Sequence, residues 1–156
     1  MVVNTRIFGE ITIEDDRVIH FANGIIGFPE MTDFALVHNE EEGNKAGIRW
    51  MQSMQEPEFA IPVIDPLSII QGYDPEVNDE LLLPLGELNP EEMLVLVTIT
   101  VPKEITQMSV NLRAPIVINA GTKKACQIIA EGENYSIKYP IYEILQEAKK
   151  AVKEGE

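Results

Sequence analysis

The sequence predicts a mostly β, single-domain fold: an antiparallel β-barrel or sandwich carrying a short C-terminal helix. Two observations predict it. From Ile7 to Tyr139 about nine short runs of apolar or alternating side chains are separated by turn residues, the spacing of strands that fold back on one another. From Ile141 the period changes, and Ile141, Ile144, Leu145, Ala148 and Val152 fall on one stripe of an amphipathic helix. At 156 residues the chain fits one domain and can bury about two thirds of its unfolded surface. Residues 1–140 are read as the β domain, and residues 141–156 as an amphipathic helix or tail of the same domain.

Taken in order, Ile7 to Ile13 and Val18 to Phe21 read as strands joined by the charged turn Glu14 to Asp16. Gly24 and Gly27 then hinge a loop carrying Ile25, Ile26 and Phe28. These three either pack beneath the loop or form an exposed apolar tip for a partner. The loop is no phosphate cradle, because it has neither GxGxxG spacing nor a following Lys-Ser/Thr pair. Phe34 to His38 is an expected strand, and Asn39 to Asn44 an acidic loop. Ile48 to Ser53 and Phe59 to Ile64 follow as strands, with Pro62 pointing to an edge or a bulge. Asp65 and Pro66 break the run, and Leu67 to Gly72 suits a short helical turn. Tyr73 to Glu80 reads as an acidic loop, and Leu81 to Leu85 as a short strand. Asn89 to Glu92 has an N-cap, a proline and two acids, enough for one turn of helix. Met93 to Val101 is apolar on both faces at its start and is the expected most buried strand.

The stretch from Gln107 to Ala130 organises the rest. Ile116 to Ile118 form a β-branched run entered through Pro115 and closed by Asn119 to Gly121. Lys123 and Lys124 sit at the turn, and Ala125 to Ala130 is the returning strand. Tyr135 to Tyr139 is the last expected strand, and in the helix Glu143 and Glu147 come early and the lysines late, as the helix dipole favours.

Charge is regional. Residues 1–49 hold nine acidic and four basic residues, residues 50–102 ten acidic and no basic, and residues 103–156 seven acidic and eight basic. A field of this sign repels phosphates and argues against a nucleic-acid ligand; it suits a basic protein partner. The longest apolar run is far shorter than a spanning helix, no signal peptide is visible, and the lone Cys126 suits a reducing compartment, so a cytoplasmic location is expected. His20 and His38 have no companions at metal-ligand spacing, and Cys126 sits among apolar neighbours without a basic activator. Neither a catalytic residue, a metal site nor a cofactor is expected, and the chain reads as an acidic binding module rather than an enzyme.

Several segments together resemble the FliW family of flagellar assembly factors. They are Phe21 to Pro29 (FANGIIGFP), Trp50 to Ser53 (WMQS), Asp65-Pro66 with Tyr73 beyond, Leu96 to Pro102, and Asn111 to Asn119 (NLRAPIVIN) followed by Gln127. The resemblance covers roughly residues 5 to 140. It implies a protein that binds the RNA-binding translational regulator CsrA, relieving its repression of flagellin translation, and that also binds flagellin, which releases CsrA again. The implied action is a partner switch without catalysis or direct nucleic-acid binding. A flagellin-specific chaperone without a direct role on CsrA is the alternative.

An RNA-binding partner has basic surfaces, so the acidic side of the interface is expected at Asp74, Glu76, Asp79 and Glu80, with Glu56 and Glu58 as second choice. The expected apolar anchors are Ile25, Ile26 and Phe28. Asn111 and Arg113 are expected to be structural, through hydrogen bonds to neighbouring backbone.

Overall fold

The structure, a computed structural model, describes residues 2–5, 9–37, 48–77, 79–87, 89, 91–131 and 135–147. Its strands are β1 (Val2–Thr5), β2 (Gly9–Thr12), β3 (Ile19–Phe21), β4 (Asp33–Val37), β5 (Arg49–Ser53), β6 (Ala60–Ile64), β7 (Met93–Thr100), β8 (Ser109–Val110), β9 (Ile116–Asn119), β10 (Lys124–Gln127) and β11 (Tyr139–Pro140). Seven of them close into a barrel, in the order β7-β6-β5-β4-β3-β10-β9 and back to β7. All the pairings are antiparallel except β3 with β10, which run parallel at the seam, Lys124 opposite His20 and Ala125 opposite Phe21. β7 forks: Met93 to Leu96 pair with β9 to close the ring, while Ile99 and Thr100 pair with β8, which carries β11 outside it.

Period-two alternation explains the core. Ile19, Phe21, Phe34, Met51, Val63, Leu96, Ile116, Ile118 and Ala125 point inward and fill the barrel. The residues between them point outward, and three outer elements cover them. The β1–β2 hairpin lays Val3 and Ile13 over Ala35 of β4. The C-terminal helix, residues 142–147, and the β8–β11 flap bury Ile141, Leu145, Val110 and Leu112 against Ile64, Val97 and Ile99. A 3-10 segment, Asp79–Leu85, lies over Val117 of β9 and Cys126 of β10, with Leu85 fully buried there. β9 is thus covered on both faces, and all four of its residues are buried.

Several expectations need correction. Leu81 to Leu85 is 3-10 helix and not strand, because Pro84 within it cannot donate to a ladder. Among the described strands β9, not β7, is the longest that is buried throughout, since Met93 and Thr100 at the ends of β7 are exposed. Of Tyr135 to Tyr139 only Tyr139 is in a strand, the two-residue β11, and Ile137 and Lys138 form a turn. β6 is flanked by β5 and β7, so Pro62 is not on an edge strand; it faces Trp50, one residue before the ladder to β7 begins at Val63. Val2–Thr5 is a strand that the sequence pattern did not single out. His38 and the acidic loop Asn39 to Asn44 lie outside the described residues, as do Ala148 and Val152 of the helical stripe.

Candidate partner-binding surface

Side-chain amides tie the loop Phe21 to Pro29 to the stretch Asn111 to Gln127 and shape that stretch locally. Gln127 Oε1 accepts the Ile26 N–H at 2.8 Å while its Nε2 donates to the Ala114 carbonyl at 3.1 Å, fixing the glycine loop to the hairpin. Asn111 Oδ1 accepts from the N–H groups of Arg113 and Ala114, both at 3.1 Å, turning the chain into β9. The Arg113 side chain differs: its Nε is buried without a hydrogen-bond partner. Asn119, 1% exposed, uses all of its polar capacity. Its Nδ2 donates to the carbonyls of Leu85 (2.8 Å) and Glu87 (3.0 Å), and its Oδ1 accepts from Gly121 and Thr122. Thr122 Oγ1 adds a second donor to Leu85 O at 2.9 Å. The hairpin therefore holds the 3-10 segment in place by its C-terminal carbonyls.

Beside that segment opens a groove of about 400 Å³. Val95 of β7 and its cross-strand partner Val117 of β9 form its floor, and Leu67, Tyr73, Val77, Leu82 and Met93 are among its other lining residues. Asp65 and Asp74 line it and are exposed. Asp65 caps the turn Pro66–Ser68 by accepting the Leu67 N–H at 2.9 Å, which holds Leu67 outward, 61% exposed. Tyr73 donates its hydroxyl to Leu112 O, and Tyr135 accepts the Asp74 N–H at 2.8 Å, so two edge-on rings brace this wall.

Burial, and secondarily the neighbouring Tyr135 hydroxyl, pushes the Tyr73 pKa up from 10.0 to about 12. The folded state thus keeps this proton when the unfolded chain has lost it. The resulting stabilisation is whole below pH 10 and is lost as pH rises to about 12. Denaturant unfolding between pH 9 and 12 is expected to show stability falling across that window, with a shallower fall in Tyr73→Phe. An unchanged slope would place the titration elsewhere.

Of the expected contact residues, Asp74 lines the groove and Glu76 lies beside the lining residues Pro75 and Val77, exposed. Glu80 is exposed on the 3-10 segment, and Asp79 begins that segment, its side chain lying outside the described residues. Glu56 and Glu58 are exposed in the turn between β5 and β6 and do not line the groove. The three apolar residues part company. Ile25 is 4% exposed and belongs to the barrel core, whereas Ile26 and Phe28 are about half exposed, Phe28 with its ring against Phe59. Sequence reasoning missed Leu67, Leu83 and Met93, all exposed. Their signal was present: large apolar residues in a stretch with ten carboxylates and no cation.

Among the described residues no cluster of His, Cys, Asp and Glu is placed to hold a metal, and no helix is long and apolar enough to cross a membrane. His20 Nδ1 contacts Asp33 Oδ1 at 2.7 Å in an exposed cross-strand pair, and Cys126 is half-buried with its thiol pKa raised by desolvation. The barrel, with its grooved outer face, defines a mostly β, closed-barrel protein.

The comparisons with known proteins agree. A family model described as "FliW protein" matches residues 2–141. The chain is 40% identical over 146 residues to the flagellar assembly factor FliW of Lachnoclostridium phytofermentans, covering 94% of each. It is 42% identical over 147 residues to that of Lachnospira eligens, covering 94% of this chain and 97% of the relative. A crystal structure of the flagellar assembly factor FliW superposes with a TM-score of 0.81 at 27% identity, covering 91% of this chain and 97% of that one. The chain belongs to the FliW family.

Proposed function

We propose that this protein is a flagellar assembly factor that acts by occupying other proteins: it binds CsrA, antagonising repression of flagellin translation, and it binds flagellin, which frees CsrA. The relatives' shared description as flagellar assembly factors supports the general role. One observation supports the binding mode above others: an apolar groove lined by Asp65 and Asp74 within a stretch, residues 50–102, that has ten carboxylates and no Lys or Arg. An RNA-binding protein presents basic surfaces. Such a surface gains on-rate and orientation from this field, while Leu67, Leu82 and Met93 offer the desolvated contacts that hold it. Both meetings take place in the cytoplasm, and the action is stoichiometric.

The test is charge reversal. Changing Asp74, Glu76, Asp79 and Glu80 together to Lys is expected to leave the fold intact and weaken CsrA binding at least tenfold, about 1.4 kcal/mol. Binding by the unaltered protein should also weaken as salt rises past 0.1 M, where screening acts beyond about 10 Å. A folded variant with full affinity would remove this groove from the interface.

A further inference from the structure

The two ends of the barrel are finished differently. At one end the chain leaving β3 folds back over the interior: Ile25 joins the core, Met31 and Phe59 pack against it, and the Phe28 ring lies on Phe59. At the other end, where β3, β7 and β10 begin and β4 and β9 finish, the interior opens as a cavity of about 170 Å³. Ile19, Leu36, Leu94 and Ile118 line it, and all four belong to the barrel core or pack against it. The remaining lining residues, Arg17, Ala120 and Lys123, are exposed and form the rim. Both charged residues are thus cations, in a chain whose net charge is −14. Among the described residues neither has a carboxylate within salt-bridge distance. Asp15 and Asp16 share a 3-10 turn with Arg17 without pairing to it, and Glu92, whose carboxylate lies beside Gly121, does not line the cavity. Lys123 is held at φ +61°, a region that glycine enters freely and lysine at a cost. Two backbone hydrogen bonds fix it there: its N–H donates to Asn119 O at 2.8 Å, and its carbonyl accepts the His20 N–H at 2.9 Å.

We propose that this open end is a binding site for a small apolar carboxylate. Its apolar part, a six-carbon ring or branched chain, lies among Ile19, Leu36, Leu94 and Ile118, and its carboxylate accepts charge-assisted hydrogen bonds from Arg17 and Lys123. Size and charge each narrow the ligand. A dry cavity of about 150 Å³ walled by aliphatic side chains takes a benzene-sized guest, and the mouths of β-barrels are a recurrent place for such sites. A purely apolar guest would leave two cations unmatched, and a bare anion would leave the aliphatic lining in water. The site is separate from the acidic groove, although Leu94 borders both, so the shifts that place the ligand are those of Ile19, Leu36 and Ile118. Residues 38–47, with Glu40 to Glu42, follow β4 at this end and lie outside the described residues. Were the two cations already taken by those carboxylates, the intact chain would bind no added acid.

The probe is phenylacetate, titrated into the intact, methyl-labelled protein and followed by NMR. The methyls of Ile19, Leu36 and Ile118 should shift saturably, with a Kd of about 1 mM or below. Phenylacetamide keeps the shape and loses the charge, and should bind about tenfold more weakly; acetate, which keeps only the charge, should not shift these methyls. Arg17→Gln and Lys123→Gly should each weaken phenylacetate binding about threefold or more with the fold retained, glycine being the residue that suits φ +61°. Shifts that fail to saturate, equal binding of the amide, or full affinity in either folded variant overturn the proposal. So do saturable shifts confined to another groove, and an intact chain that binds no added acid. A peptide ending in a free phenylalanine that binds here when phenylacetate does not would overturn it as well, making the opening a pocket for a polypeptide terminus.

Discussion

Asn119→Asp is expected to destabilise the fold by about 4 kcal/mol at pH 7, the combined effect of lost donors and a buried carboxylate. The side chain is 1% exposed, and its Nδ2 donates to two carbonyls, Leu85 and Glu87, which a carboxylate oxygen would repel. Burial and those carbonyls raise the new acid's pKa in the folded state. The loss should therefore shrink as pH falls and the protonated acid regains a donor for Leu85. Urea unfolding at pH 7 and pH 4.5 reads both effects, and hydrogen exchange should show residues 79–85 opening ahead of the barrel. A loss under about 1 kcal/mol at pH 7 would mean the segment is held by something else.

Gly24→Ala should cost about 3 kcal/mol, combining left-handed backbone with steric overlap. Gly24 has φ +67°, and a Cβ there would stand 2.6 Å from both the carbonyl carbon and the Cα of Pro29. The obstacle is backbone, so no side chain can rotate away. Gly9 is the internal control: its φ is +68°, yet a Cβ would meet nothing within 4 Å. Gly9→Ala should show only the conformational part, about 1–2 kcal/mol. In thermal melts the pair should separate, with Tm falling about 6–12 °C for the first and roughly half that for the second. Equal shifts would show that the tight loop around Pro29 relaxes.

These two positions show what the sequence conveyed and what it could not. The glycine loop and the hairpin from Pro115 to Gln127 were legible because turn residues and β-branched runs are local signals. Which of Ile25, Ile26 and Phe28 turns inward was not, because it depends on Gln127, far along the chain, holding the Ile26 N–H. Leu81 to Leu85 misled for a related reason. Three consecutive leucines suit a buried strand, and only the carbonyl partners supplied by Asn119 and Thr122 reveal a 3-10 segment docked across β9 and β10. The acidity around the candidate site was plain in the composition. The groove was not, since its floor comes from β7 and β9 and its walls from residues between β6 and β7.

The parallel seam between β3 and β10 bears on how the molecule is made. β3 precedes the whole β4–β7 meander, and β10 follows it, so the ring cannot shut until β10 has left the ribosome. Until then β3 waits with one flank bare, a template for any passing extended chain, and its inward Phe21 lacks the Ala125 cover. Closing so long a loop is also entropically slow. Nascent chains crowded on one messenger are thus most exposed to tangling in the interval before their last quarter emerges.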